Sequence, residues 1–567
     1  MHIDVQVSAP HEGPAMPLIA STPVPRMAGP YPKRWAALFV LCLSLLIVVM
    51  ANTSLIVAAP DLTRDLGLDA SQLQWVIDAY TVPYAALMLM LGAVGDKYSR
   101  RGGLVTGLLI FGAGSVMGSL VHQADAVIAA RAVMGIGAAL IMPATLSLLV
   151  ATFPRSERAK AITAWSATSG LAIALGPLLA GRLLENHAWG STFLINVPVA
   201  AVAIVLAMAL VPPSRAEGRG RIDVVGGLLS VVTVGALVYA VIEGARFGWT
   251  GGPLAGAIAA ALGLAAFVPW ELRHPRPILD VRKFRIRSFS GSMIAVLMFF
   301  FGTFGALYYS TQHLQFVLGY SPLDTGIRLL PLAGAVFVGA AVTGRLTPRL
   351  GVKPMVVAGM AVGTAGVLLL MRIDPGSGYT DFVAPFALLG FAIGLSVSPC
   401  TDTIMEAFPE HDLGVGGATN DTALELGGAL GIAILGSVLN TTYRDRLTDA
   451  VAGKLPGAAL DTAKDSIGGA LGVAEHIAHS PQGGPTQAQA LVSAAHQSFA
   501  DAVAHTSLIG GIAMAVGTGV VALVMPSAGR SSSEQEQPGR VSATDTDTEP
   551  DRDTGETQGT AHGVRSA

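Results

Sequence analysis

The sequence predicts an all-α integral membrane protein with fourteen membrane-spanning helices. Three observations predict it: the composition, the length of the apolar runs and the sidedness of the charges. Of 567 residues, 52% are hydrophobic and 13% are charged, where a water-soluble chain carries about a quarter charged residues. The charges fall in short clusters between long apolar stretches, and glycine is frequent at 67 residues.

Runs long enough to cross about 30 Å of hydrocarbon lie near residues 36–58, 76–95, 104–121, 127–150, 161–182, 193–211, 224–243, 253–272, 291–311, 326–346, 354–372, 383–402, 415–438 and 505–525. Each reads as a helix, because a lone segment in hydrocarbon must satisfy its own backbone N–H and C=O groups. With the N-terminus inside, the short inner loops hold twenty Lys and Arg, among them Lys33, Arg34, Lys97, Arg155, Arg158, Arg219 and Arg221. The short outer loops hold five: Arg64, Arg182, Arg246, Arg328 and Arg372. That asymmetry is the positive-inside signal, and it puts both termini in the cytoplasm of a cell whose inner membrane the chain crosses.

The expected organisation starts with a cytoplasmic segment over 1–34, which lacks the features of a removable signal peptide. A six-helix bundle follows over 35–212, then two extra helices with linkers over 213–287. A second six-helix bundle occupies 288–526 and includes a long outer loop, 441–502. That loop is too long and polar for a tight turn, and mixes an Ala-rich helical pattern with a break at Gly483, Gly484 and Pro485. From 527 to 567 Ser, Thr, Asp, Glu and Gly dominate, so a disordered cytoplasmic tail is expected.

Several function classes are disfavoured. Cys42 and Cys400 are the only cysteines and both sit in apolar runs, so no disulfide framework or thiolate metal site is expected. No basic patch of the nucleic-acid kind occurs. An ATP-driven pump would need a Gly-x4-Gly-Lys-Ser/Thr loop, which the chain lacks. A membrane-embedded hydrolase would need a Ser–His or metal constellation, and the apolar runs hold essentially no histidine. The expectation is a monomeric non-enzyme without cofactor or metal, embedded in the lipid bilayer.

The sharpest motif is Gly92-Ala-Val-Gly-Asp96-Lys97-Tyr-Ser-Arg100-Arg101, between the second and third spans. Glycine permits a tight turn and close helix approach. Asp96 can cap the N-terminal end of a facing helix, and Arg100 and Arg101 can pair with carboxylates or carbonyls. The loop resembles the signature of the major facilitator superfamily, with a weaker echo at Gly344-Arg-Leu-Thr-Pro-Arg349-Leu-Gly351. The resemblance continues in Arg131-Ala-Val-Met-Gly135-Ile-Gly137 and in Gly176-Pro177-Leu-Leu-Ala-Gly181, which looks like the motif associated with antiporters. A Gly-Pro step kinks a helix and admits close packing.

Gln74-Trp75-Val-Ile-Asp78-Ala-Tyr80, Phe193-Leu-Ile-Asn196-Val-Pro198, Pro277-Ile-Leu-Asp280 and Asn420-Asp421-Thr-Ala-Leu-Glu425 are similar to the fourteen-span drug:proton antiporters, the last closest to exporters of quaternary ammonium compounds. The resemblance implies the major facilitator fold, two six-helix bundles plus two extra helices, with substrate between bundles near the midplane. The family usually carries an aspartate in the first span where this chain has Ala51, so one expected coupling acid is missing.

Ionisable groups inside spans are functional candidates, because burying one in hydrocarbon costs several kcal/mol. Asp421 and Glu425 stand one helical turn apart and share a face, which suits proton uptake or cation binding. Asp78 and Arg131 read equally as an ion pair lining the cavity or as side chains reaching to the interface. Asp402 and Glu406 read as solvated. Most of Tyr84, Trp165, Phe299, Phe300, Phe301, Tyr308 and Tyr309 are expected to face lipid or the interface, and at least one of the three consecutive phenylalanines must point away from any cavity. The function expected from these residues and the resemblance is proton-coupled efflux of hydrophobic or cationic drugs; the alternative is a dedicated exporter of an endogenous metabolite or self-made antibiotic.

Overall fold

The computed structural model describes residues 31–66, 68, 70–215, 222–451, 457–479 and 484–527. The expectations for residues 1–30, for Arg219, Arg221 and Gly483, and for the tail from 528 lie outside the described residues. The chain divides into a unit over Met1–Pro526, which holds every described helix, and a short second unit over Ser527–Ala567.

The helices of the first unit begin with α1 Arg34–Leu66, α2 Ala70–Tyr98, α3 Arg100–Leu120, α4 Ala124–Thr152, α5 Arg155–Leu184, α6 Ser191–Leu194 and α7 Asn196–Leu210. The extra pair is α8 Val224–Phe247 and α9 Gly252–Arg273. Then come α10 Arg287–Gln312, α11 Pro322–Arg328, α12 Leu330–Leu350, α13 Val352–Leu369, α14 Thr380–Glu406, α15 Leu413–Val451, α16 Gly457–Asp465, α17 Ile467–His479 and α18 Pro485–Val524. Among the described residues fourteen stretches are long and apolar enough to cross a bilayer, α6 with α7 forming the sixth and α11 with α12 the tenth.

In the first bundle α4 packs on α3 and α2, and α1 on α5; in the second α14 packs on α12 and α13, and α10 and α18 on α15. Small residues let these helices approach. A Cβ on Gly135 would meet the Tyr80 carbonyl and come within 3.0 Å of Pro83 Cγ, so only glycine lets α4 lie this close to α2. The extra helices pack on each other, and α8 also lies against α2 and α15.

The bundles meet along a seam of α2, α4 and α5 against α11, α12, α14 and α15. They touch at both ends of it. At the end carrying the 92–101 loop, the start of α15 sits on α2; at the other, Gly326 of α11 stands against Pro177 of α5. In between, Thr163 and Ser398 hydroxyls share a hydrogen bond of 2.7 Å.

Two features differ from the sequence reading. The helical pattern expected in 441–502 is continuous with the spans on either side: α15 has 39 residues and α18 has 40, each about 60 Å at 1.5 Å per residue, well beyond the hydrocarbon thickness. Their projecting ends hold α16 and α17. Tyr443 donates to the Ala463 carbonyl at 3.1 Å and its ring meets Phe499 at 6.1 Å, while Ile467, Ala470 and Ala474 of α17 are buried. The Ala-rich stretch keeps an apolar stripe at helical spacing, so the helices continue past the bilayer instead of stopping at it.

The aromatics are the second difference. Tyr84, Trp165, Phe299, Phe300, Phe301 and Tyr309 are all buried, which overturns the lipid-facing expectation for them. The three consecutive phenylalanines can all be buried because α10 is packed by α13, α14, α15 and α18, leaving only a half-buried stripe through Leu297, Phe304 and Tyr308.

Candidate functional site

The seam is built from glycine outward. At the 92–101 loop a Cβ on Gly414 would lie 2.5 Å from the Gly92 carbonyl oxygen and 2.9 Å from Asp96 Cγ, so α2 and α15 touch backbone to backbone. That approach delivers Asp96 to the first turn of α15. Its Oδ2 accepts from Gly414 N at 2.7 Å and Val415 N at 3.2 Å, two of the N–H groups a helix start leaves without a partner. Oδ1 accepts from Arg100 Nε at 2.7 Å. Asp96 is fully buried and Arg100 nearly so. The Arg100 guanidinium also donates to the Glu410 carbonyl, just before α15, and to Ser214 Oγ at 3.2 Å. One acid and one arginine of the first bundle thus grip the start of a helix of the second. Arg101 does not join them: it donates to the Val211 carbonyl at 3.2 Å, inside its own bundle.

Along α15 the contact continues at Gly417, whose Cβ would lie 3.2 Å from the Pro143 carbonyl of α4. One turn further stands Asp421, fully buried. Its Oδ1 accepts from Asn420 Nδ2 at 3.0 Å, and Thr401 donates to Asn420 Oδ1 at 3.0 Å. Oδ2 is buried without a hydrogen-bond partner. Glu425, the next residue on this face, is half-buried and faces Tyr84 of α2. Both acids therefore lie at the seam, on the same helix that the Asp96 cap holds.

Opposite them runs an aromatic ladder. The rings of Tyr84 and Tyr80 are 5.6 Å apart, and the Arg131 guanidinium lies 4.4 Å from the Tyr80 centroid. Arg131 is 1% and Asp78 6% exposed, which removes the reading in which they reach to the interface. The guanidinium is drawn inward by the Val76, Ala51 and Ile77 carbonyls at 3.0, 3.3 and 3.4 Å and by Asn52 Oδ1 at 3.3 Å. Asn52 and Tyr80 had no assigned role in the sequence reading. A polar residue next to Ala51 and the i, i+4 spacing of Tyr80 and Tyr84 were the available signals.

Gly176 and Pro177 lie on α5, where a Cβ on Gly176 would come within 2.9 Å of the Met50 carbonyl of α1. Gly181 faces α11, with Leu323 Cβ 2.9 Å from its Cβ position. This segment is thus packed at the seam, at the end away from Asp96. Asp402 departs from expectation: it is half-buried with Oδ1 enclosed and unpartnered, whereas Glu406 is exposed. Among the described residues no group of three or more His, Cys, Asp or Glu could hold a metal ion.

Residues 41–432 match the model of the Major Facilitator Superfamily. The chain is 33% identical to the multidrug efflux pump LfrA of Mycolicibacterium smegmatis, over 86% of this chain and 96% of the relative. It is 30% identical to the tetracenomycin C resistance and export protein of Streptomyces glaucescens, over 89% and 92%. Among solved structures, a bacterial homologue of the human lysosomal transporter Spinster, in an inward-facing unoccupied conformation, aligns with a TM-score of 0.54 at 16% identity, covering 88% of this chain and all of that one. On its motifs, its fourteen helices and these matches, the chain belongs to the Major Facilitator Superfamily of membrane transporters.

Proposed function

We propose that the protein exports hydrophobic or cationic drugs from the cytoplasm in exchange for protons, by alternating access between its two bundles. The observation that carries this reading is the placement of Asp421 and Glu425 on one face of α15, at the seam, with an unpartnered buried carboxylate oxygen on Asp421. A buried carboxylate with a free acceptor is costly, and a proton or a bound cation relieves that cost. The two can compete for the same group, which is the requirement for antiport.

The grip of Asp96 and Arg100 on the start of α15 serves as a latch and supplies the mechanical link. Gly414 and Asp421 are seven residues apart, about 10 Å along α15. A change of charge at Asp421 or Glu425 bears on the helix whose start Asp96 and Arg100 hold closed. Releasing that start would part the bundles at the cytoplasmic end, and the α5–α11 contact would close the opposite end in turn. Pro177 and the glycines beside it suit α5 to that rocking. The names of the relatives support drugs or antibiotics as cargo.

In respiring inverted vesicles, adding a substrate cation should dissipate the pH gradient. Transport that persists undiminished after a protonophore has removed the gradient overturns the antiport reading. The likeness to the tetracenomycin C resistance and export protein favours a second reading, a dedicated exporter of a self-made antibiotic. Expression in a pump-deficient host, with growth compared on dyes, quaternary amines and neutral antibiotics, separates the two: broad protection supports the first and protection against one compound supports the second.

A further inference from the structure

The mechanism uses no residue of the extra helices, yet these hold a second buried acid pair. Asp223 precedes α8 and Glu271 lies in the last turn of α9, and they are 6% and 0% exposed. Asp223 is well held: Oδ1 accepts from Gly226 N at 2.8 Å as the cap of α8, and Trp270 Nε1 donates to Oδ1 at 3.1 Å and Oδ2 at 2.9 Å. Glu271 is only half satisfied. Oε2 accepts from Leu279 N at 3.1 Å, while Oε1 is buried with no partner.

The two carboxylates face each other across a glycine. A Cβ on Gly226 would run into both Glu271 Oε1 and Asp223 Oδ2, so the free oxygen of one acid and an oxygen of the other border the same small space over that glycine. Among the described residues no lysine or arginine pairs with either. Arg282 goes to the Leu272 carbonyl at 2.8 Å and Lys283 to the Ala407 carbonyl at 2.6 Å. The remaining titratable neighbours are Asp280, which is occupied in capping the Arg282 N–H at 3.1 Å, and His274, whose Nδ1 stands 3.5 Å from Asp223 Oδ2. From α2 the facing side chain near Gly227 is the apolar Met90. Two buried carboxylates without a lysine or arginine partner cannot both stay ionised cheaply, and one proton between them supplies the missing donor.

We propose that Asp223 and Glu271 hold one proton between them, and that this shared proton fastens the 274–286 linker to the extra helix pair and so to the latch. The fastening runs through named contacts. Glu271 holds the Leu279 N–H, and Ile278 and Leu279 are buried beneath it. Four residues on, Lys283 donates to Ala407 and lies 4.8 Å from the Phe408 ring, two residues before the Glu410 carbonyl that Arg100 grips. Removing the proton sets two like charges against each other at the root of this strap. The strap is therefore closed at lower pH and loosens as pH rises, which would let the pH on that side bias the latch independently of Asp421 and Glu425.

Thiol labelling tests this without any transport assay. In full-length protein carrying Cys42→Ser and Cys400→Ser, Ile278→Cys reports exposure of the strap, and Arg285→Cys, at an exposed position, corrects for the intrinsic pH dependence of maleimide reaction. The corrected labelling of Ile278→Cys should rise about tenfold or more between about pH 6 and pH 9. Adding Glu271→Gln or Asp223→Asn, each of which supplies a permanent amide donor in place of the proton, should hold labelling low and flat. A flat profile before either amide is introduced, or an unchanged rise after both, overturns the proposal. So does a rise abolished by His274→Gln alone. As a second measurement, the infrared band of protonated carboxyl groups at neutral pH should weaken in Glu271→Gln relative to the unsubstituted protein; an undiminished band in both amide variants also overturns it.

Discussion

At the scale of single residues, Asp421 and Arg131 each make a separate prediction. Asp421 keeps one oxygen bound to Asn420 and one free; Asp421→Asn keeps the first contact and removes the proton site. Asp421→Asn and Glu425→Gln should each lower export by about tenfold or more, equivalent to at least ~1.4 kcal/mol of barrier, with normal abundance in the membrane. Dye efflux from energised cells reads this, and full export by the double variant would make the carboxylates structural. Arg131 offers a different test. Its fork reaches three carbonyls and Asn52 while stacking on Tyr80, a geometry a lysine ammonium cannot reproduce. Arg131→Lys should leave buried carbonyls unmet and destabilise the first bundle by about 1–3 kcal/mol, seen as a lower unfolding temperature of the purified protein. The acid pair was legible in the sequence because polar groups in an apolar run stand out. The inward turn of Arg131 was not, since an arginine near a helix end can reach water or carbonyls equally well until its neighbours are placed.

At the scale of elements, the latch depends on a helix start meeting an acid across a glycine contact. The 92–101 motif showed the acid, the arginines and the glycines. It did not show that the target is the start of α15, which lies more than 300 residues away in sequence and has no local signature beyond Gly414. Asp96→Asn keeps the shape and removes the charge from the dipole and from Arg100. It should slow export roughly fivefold, the rate equivalent of about 1 kcal/mol. Gly414→Val should act more strongly, because its Cβ would meet the Gly92 carbonyl and the Asp96 carboxylate, and should raise labelling of a cysteine at Gly95 by an impermeant maleimide in inverted vesicles. Equal labelling with and without the valine would mean that this contact does not hold the seam. Other elements were misjudged for one common reason. Burial of the α10 phenylalanines and enclosure of Asp402 depend on which helix faces which, and hydrophobic periodicity within one helix does not report its neighbours. That the helical pattern of 441–502 runs on unbroken from α15 and into α18 was not legible, because hydropathy marks where a bilayer ends, not where a helix does.

At the scale of the whole molecule, the two bundles bring charge of unlike kind to the seam, and this bears on which cations the protein can carry. The second bundle contributes Asp421 and Glu425, one turn apart and so about 6 Å from each other. The first bundle contributes Asp78 together with the buried Arg131, whose guanidinium is held within 4.4 Å of Tyr80 and donates to the Ala51 carbonyl. Ala51 is the first-span position where the family usually carries an acid. A long bis-cation needs two separated countercharges, because a charge left unpaired in a low-dielectric cavity is expensive. One of its ends can be met by the α15 acids. The other would reach toward the first bundle, where Arg131 offsets Asp78 and position 51 offers only an alanine. Lipophilic monocations and neutral hydrophobic drugs should therefore be exported better than long bis-quaternary compounds of matched hydrophobicity. Resistance conferred in a pump-deficient host, compared across mono- and bis-quaternary homologues, measures this. Ala51→Asp should narrow the gap by restoring a countercharge beside Arg131. Equal or greater protection against the bis-cations in the unsubstituted protein would place a further acid at the cavity wall and overturn this account of selectivity.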